Sequence, residues 1–206
     1  MSTVSNGPGG IPPGTGPGAA TAATGGTGAA AAEGWNPLAD RIAVQARDFL
    51  DGIMALARGE GGNETVPLLL LEVSQILLAG AQLGASKDVI LPDNWEPDVG
   101  ADPDLDVLRS GLAKRLAECD EYAELFDPYA DSGPTAFRLS DDLAAIAADL
   151  IHGLQHYRAG RPLEALWWWQ YSYVSHWGTH GTAALSALHA VLAHATLDVP
   201  EETRPG

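Results

Sequence analysis

"LSDDLAAIAADLIHGLQHYRAGRPLEALWWWQYSYVSHWGTHGTAALSALH", residues 139–189, decides the fold. In its first half Leu143, Ile146, Leu150, Leu154 and Tyr157 recur at three- and four-residue spacing or its multiples, the signature of one apolar helical face. Ser140 stands where a cap is needed, and Asp141 and Asp142 complement the positive end of the helix dipole. Gly160 stops this helix and Pro162 suits the first turn of the next. A link that short folds the two helices back into an antiparallel hairpin.

The second half places six aromatic rings and two histidines within one helix length of an otherwise Ala- and Gly-rich chain. On a wheel of about 100° per residue, Leu163, Leu166, Trp167, Tyr171, Val174 and Trp177 form the expected core arc. Trp169, Tyr173, His176 and His180 fall on a narrower second stripe, while Glu164, Ser172, Ser175 and Thr179 make a wet side with Trp168 among them. An outward Trp168 is a candidate partner-binding residue, because aromatic side chains anchor interfaces. Burial beneath the acidic loop of residues 88–106 or beneath the tail is its structural alternative. Gly178 and Gly181 weaken this helix and lead us to expect close packing or a bend near His180.

Working outward, the spacing predicts a first helix capped by Asn36, with Pro37 in its first turn and Leu38, Ile42, Phe49, Ile53 and Leu56 on its core stripe, ending before Gly59. A second helix, Val66–Gln82 with Thr65 as cap and Gly84 as stop, is apolar nearly all round and is expected at the centre. Its length approaches a membrane span, but Glu72 inside it is costly in lipid, so a core helix is the reading. A third helix is expected from Asp102–Pro103 through Leu105, Leu108, Leu112, Leu116, Cys119 and Tyr122 to Phe126. No segment alternates at period two for long enough to argue for a strand. The expectation is one all-α bundle of about five helices over residues 35–197, preceded by a Gly/Pro/Ala-rich disordered tail at 1–34 and followed by a short polar tail at 198–206.

Eleven Lys and Arg against 27 Asp and Glu give a net charge of −16, which disfavours nucleic acid and anionic membranes and favours basic partners. The lone Cys119 leaves no intrachain disulfide. With no signal-peptide pattern at the start, the cytoplasm is the expected location. The acidic stretch with Asp88, Asp93, Glu96, Asp98, Asp102 and Asp104 lacks calcium-loop spacing and reads as a solvated connection. No glycine-rich phosphate loop follows a strand.

Three segments in order, "YAELFDP", "LSDDLAAIAADLIHGLQHYRAG" and "EALWWWQYSYVSHWGTHGTAALSALH", together resemble the bacterial family called domain of unknown function 5063. The resemblance covers roughly residues 36–195 and is strongest over 122–189. It implies a small helical cytoplasmic protein and carries over no catalytic residue, since no activity is established for the family. One departure stands out: where the family has an aromatic and a basic residue before the second Asp of the fourth helix, this chain has Ala147 and Ala148.

If the hairpin turns near Arg161, facing residues have numbers that sum to about 322, which sets Asp142 opposite His180 and Asp149 opposite Tyr173 and His176. Carboxylates facing an i, i+4 histidine pair are partners that bundle metal sites use, so Asp142, Asp149, His176 and His180 are candidate metal ligands. A structural Asp–His network is the alternative, favoured because buried polar groups pair and no Glu-x-x-His motif is present. His152 and His156 read as solvated, and His189 and His194 suit a helix C-terminus. Triad chemistry lacks a nucleophile elbow, with Ser172 and Ser175 on the far side of the helix. The functional expectation is a non-enzymatic protein-interaction or regulatory module with no required cofactor, binding another protein or itself. The alternative is a metal-dependent, hydrolase-like enzyme.

Overall fold

The chain is described from a computed structural model, which covers residues 26–92, 97–124 and 133–197. Its helices are α1 (Gly26–Arg58), α2 (Thr65–Gly84), α3 (Asp106–Arg115), α4 (Leu139–Arg158), α5 (Pro162–Ser172) and α6 (Gly178–Leu197). A π turn, Tyr173–Trp177, joins α5 to α6 without a loop, so these three pieces together are the expected fifth helix. The all-α expectation holds, with one addition. Strands β1 (Glu121–Glu124) and β2 (Thr135–Arg138) pair antiparallel as a short hairpin ahead of α4, with Tyr122 opposite Phe137.

That hairpin corrects the third helix. α3 ends at Arg115 rather than running to Phe126; Leu108, Leu112 and Leu116 are buried as the period demands, but Tyr122 lies on a strand. The pattern survives the change because alternate strand positions and helical thirds coincide over so few residues. α1 begins before its expected start, taking in residues 26–34 and passing through Pro37; residues 1–25 and 198–206 of the expected tails lie outside the described residues. Gly59 and Gly160 end α1 and α4 in the left-handed conformation a helix stop requires.

The core gathers Ile42, Phe49 and Ile53 of α1, Leu69, Val73 and Ile76 of α2, Leu143, Ile146, Leu150 and Leu154 of α4, and Trp169 and Trp177. α2 packs on α1 and α6, while α4 packs on α3, α5 and α6. α2 is less central than its composition suggests: Leu69, Val73, Ile76, Ala79 and Leu83 are buried, yet Leu68, Leu71 and Leu78 are exposed. It is long and apolar enough by length and composition to cross a membrane, while its inner face packs into the bundle.

The expected wheel is rotated. Trp169, placed on the flank, is completely buried, whereas Tyr171 and Val174, placed in the core, are exposed. Ser172, expected wet, is buried and donates its hydroxyl to the Trp168 carbonyl at 2.7 Å. Trp167 is half-buried and stacks parallel on Tyr171 at 5.4 Å between centroids. Apolar residues at nearly every position leave helix phase undetermined by pattern alone.

A candidate groove and its paired carboxylates and histidines

The site begins with a glycine. Gly153 of α4 has no side chain, and a Cβ there would run into the indole nitrogen of Trp169. The notch lets the Trp169 indole reach the α4 backbone, where its Nε1 donates to the Leu150 carbonyl at 3.2 Å; the neighbouring Trp168 Nε1 donates to the Asp149 carbonyl at 3.0 Å. These directional bonds fix the register of α5 on α4, and the register fixes which polar residues meet further along the hairpin.

Two acid–imidazole pairs result. His180 Nδ1 lies 2.7 Å from Asp142 Oδ1, and His176 Nδ1 lies 2.7 Å from Asp149 Oδ2. The two rings stand edge to face with centroids 4.7 Å apart. Asp142 is 3% exposed and accepts a second bond, from the Tyr122 hydroxyl at 2.6 Å. Asp149 is also buried, and burial pushes its carboxyl above the ordinary range; the hydrogen bond and charge of His176 act in the opposite direction.

All four candidate ligands therefore meet in the order that the register arithmetic gives. Their arrangement differs from a cage around one ion, since each carboxylate takes an imidazole nitrogen. Among the described residues no group of three or more His, Cys, Asp or Glu is placed to hold a metal ion.

Trp168 is not the outward residue expected. It is half-buried, bonded through its indole nitrogen, and packed on His152 at 4.1 Å between centroids. His156, expected to be solvated, is completely buried beside His152. On the solvent side of Trp168 opens a groove of about 440 Å³ between the entry to α3 and α4. Asp102, Asp104, Asp106, Asp141 and Asp149 line it, together with Arg109, His152, Ala145 and Ala148. Arg109 bridges Asp141 at 3.0 Å and Asp106 at 3.2 Å. Ala148, one of the two departures noted in the sequence, contributes to the opening; Ala147 is in the core.

Asp120 and Tyr122 were beyond the reach of the sequence reading, which held both inside a helix. Buried Asp120 accepts from the Ser140 amide at 2.8 Å, the Ser140 hydroxyl at 2.9 Å and Arg138 Nη2 at 2.9 Å. It thus binds the start of α4 where the sequence reading puts a Ser140 cap, using the favourable end of the helix dipole. Nothing in the local sequence pattern distinguishes Asp120 from the neighbouring acidic residues Glu118 and Glu121.

Residues 33–194 match the family described as Domain of unknown function (DUF5063). The chain is similar in fold to the crystal structure of protein BF1032 from Bacteroides fragilis, at 23% identity and a TM-score of 0.59, over 73% of this chain and 89% of that one. No curated protein matches the sequence.

Proposed function

Because the chain belongs to the DUF5063 family, whose function is unknown, we propose a role from the groove itself: a non-enzymatic binding module that docks a basic segment of a partner protein between the entry to α3 and α4. The observation that carries this reading is the lining, five aspartates against Arg109 around a groove of about 440 Å³. That volume lies in the range of roughly 300–1,000 Å³ typical of ligand sites and suits the side chains of a short segment. A net charge of −16 steers cations toward the molecule, and the groove concentrates it. Trp168, Ala145 and Ala148 give the methylene stems of Lys or Arg an apolar surface while the charged heads meet the carboxylates.

The serine hydroxyls of α5 and the π turn are taken up by their own helix backbone. Ser172 and Ser175 donate to the carbonyls of Trp168 and Tyr171 at 2.7 and 2.8 Å, so neither is presented to an imidazole.

Titration of a fluorescent lysine-rich peptide, against a glutamate-rich peptide of equal length, tests the proposal. Saturable binding of the basic peptide that weakens with salt is expected, with about a tenfold loss in Asp104→Asn/Asp106→Asn. Equal binding of both peptides, or an indifferent double variant, contradicts it.

A further inference from the structure

We infer that the outward stripe of α2, formed by Leu68, Leu71, Gln75 and Leu78, pairs with the same stripe of a second copy of this chain. The inference goes beyond the acidic groove and does not depend on it. α2 carries two apolar faces. Leu69, Val73, Ile76 and Leu83 are buried against the chain's own bundle, whereas Leu71 is 51% and Leu78 60% exposed, and Leu68 is exposed with them. Steps of three, four and three residues along the stripe are the a and d positions of a heptad, the period by which one helix seats its side chains between those of another. Residues three and four apart touch along a helix, so the patch is continuous. An identical stripe related by a two-fold axis supplies the matching period, residue i against j and j against i. Gln75, polar at one seam position, gives the pair a register that leucines alone would leave loose.

Charge selects the same occupant. A net charge of −16 makes copies of the chain repel one another, so a second copy approaches closely only where charge is missing. The stripe is such a place, as are Ser74 and Ala81 beside it. Glu72 is the one charged residue of α2, and its carboxylate lies over Gly52 of α1, where an added Cβ would meet it. The repulsion is thus turned aside from the seam. Gln45 and Asp48 of α1 line a shallow cleft with Gln75 and Leu78, which widens the face beyond α2. A helix of this length runs about 30 Å, and with its neighbour it presents a face roughly 20 Å wide. That size suits a modest, concentration-dependent dimer rather than a permanent one, since stable interfaces cover about 800 Å² on each partner.

The test is sedimentation equilibrium of the full chain across a range of concentrations, with thermal melts by circular dichroism at the dilute end. A reversible monomer–dimer equilibrium is expected. Leu71→Glu/Leu78→Glu weakens it at least about 100-fold, because the two-fold axis gathers four new carboxylates in one seam. The dilute melt stays where it was, both leucines being exposed already. Val107→Glu adds a charge at an exposed position of α3 and leaves dimerisation within about twofold. Should the double variant fail to fold, a nitroxide on Gln75→Cys in a Cys119→Ser background takes its place: dipolar coupling to the second copy within about 30 Å is expected, since packed helix axes lie about 8–10 Å apart. A monomer at every concentration, a dimer that survives the double substitution, a dimer without that coupling, or a monomer that binds neutral phosphatidylcholine vesicles through the stripe overturns the inference.

Discussion

Gly153 and Asp149 carry the account at the scale of single residues. An added methyl at Gly153 meets the Trp169 indole, so Gly153→Ala must displace a packed ring or the α4 backbone. We expect a loss of about 1–3 kcal/mol in stability, measured by denaturant unfolding, together with altered indole N–H resonances of Trp168 and Trp169. An unchanged protein contradicts the notch. Asp149 makes a prediction with a definite sign. Its folded carboxyl is raised above the ordinary range by burial, so its contribution to stability is complete below the unfolded value and is lost as the pH rises through the folded one. Stability of the natural protein relative to Asp149→Asn should therefore improve on acidification from neutral pH, as read from denaturation midpoints. A relative decline would reverse the assignment. The pairing of Asp142 with His180 was legible in the sequence because a short turn and equal helical rise leave little freedom; Asp120 and Tyr122 were not, because their partners depend on a strand that no periodicity announced.

At the scale of elements, the π turn explains how one helix serves two faces. A π turn holds one residue more than an α turn, so Val174, 72% exposed, sits in surplus backbone. Deleting Val174 lets the turn relax to α geometry while α5 and α6 keep their buried faces. Deleting Thr182 inside α6 instead rotates everything after it by about 100°, carrying Ala184 and Leu188 out of the core. Thermal melts should show the first deletion tolerated and the second severely destabilised; equal losses would refute this reading of the turn. The ends of α1 and α4 and the start of α5 were readable from sequence, because Gly59, Gly160 and Pro162 punctuate the chain with chemistry specific to helix ends. Helix phase was not, since in "ALWWWQYSYV" apolar side chains occur all round and indole hydrogen bonds and the Gly153 notch settle which ring is buried.

For the whole molecule, bundle and groove have one origin. The antiparallel seating of α5 and α6 on α4 completes the core and also leaves Asp149, His152 and Trp168 along the groove wall. Asp102 and Asp104 of the acidic connection, exposed as its Pro and Asp content suggests, supply the opposite wall, while Asp93 and Glu96 lie outside the described residues. Which carboxylates would converge was not legible, because that depends on where α3 begins and on Arg109 bridging Asp106 and Asp141. The most direct measurement is amide and indole NMR shift mapping during addition of the lysine-rich peptide at low salt. Shifts clustered at Asp104, Arg109, Ala145, Ala148, His152 and the Trp168 indole, fading as salt is raised, are the predicted result. Shifts confined to other faces of the bundle, or none at saturating peptide, would contradict it.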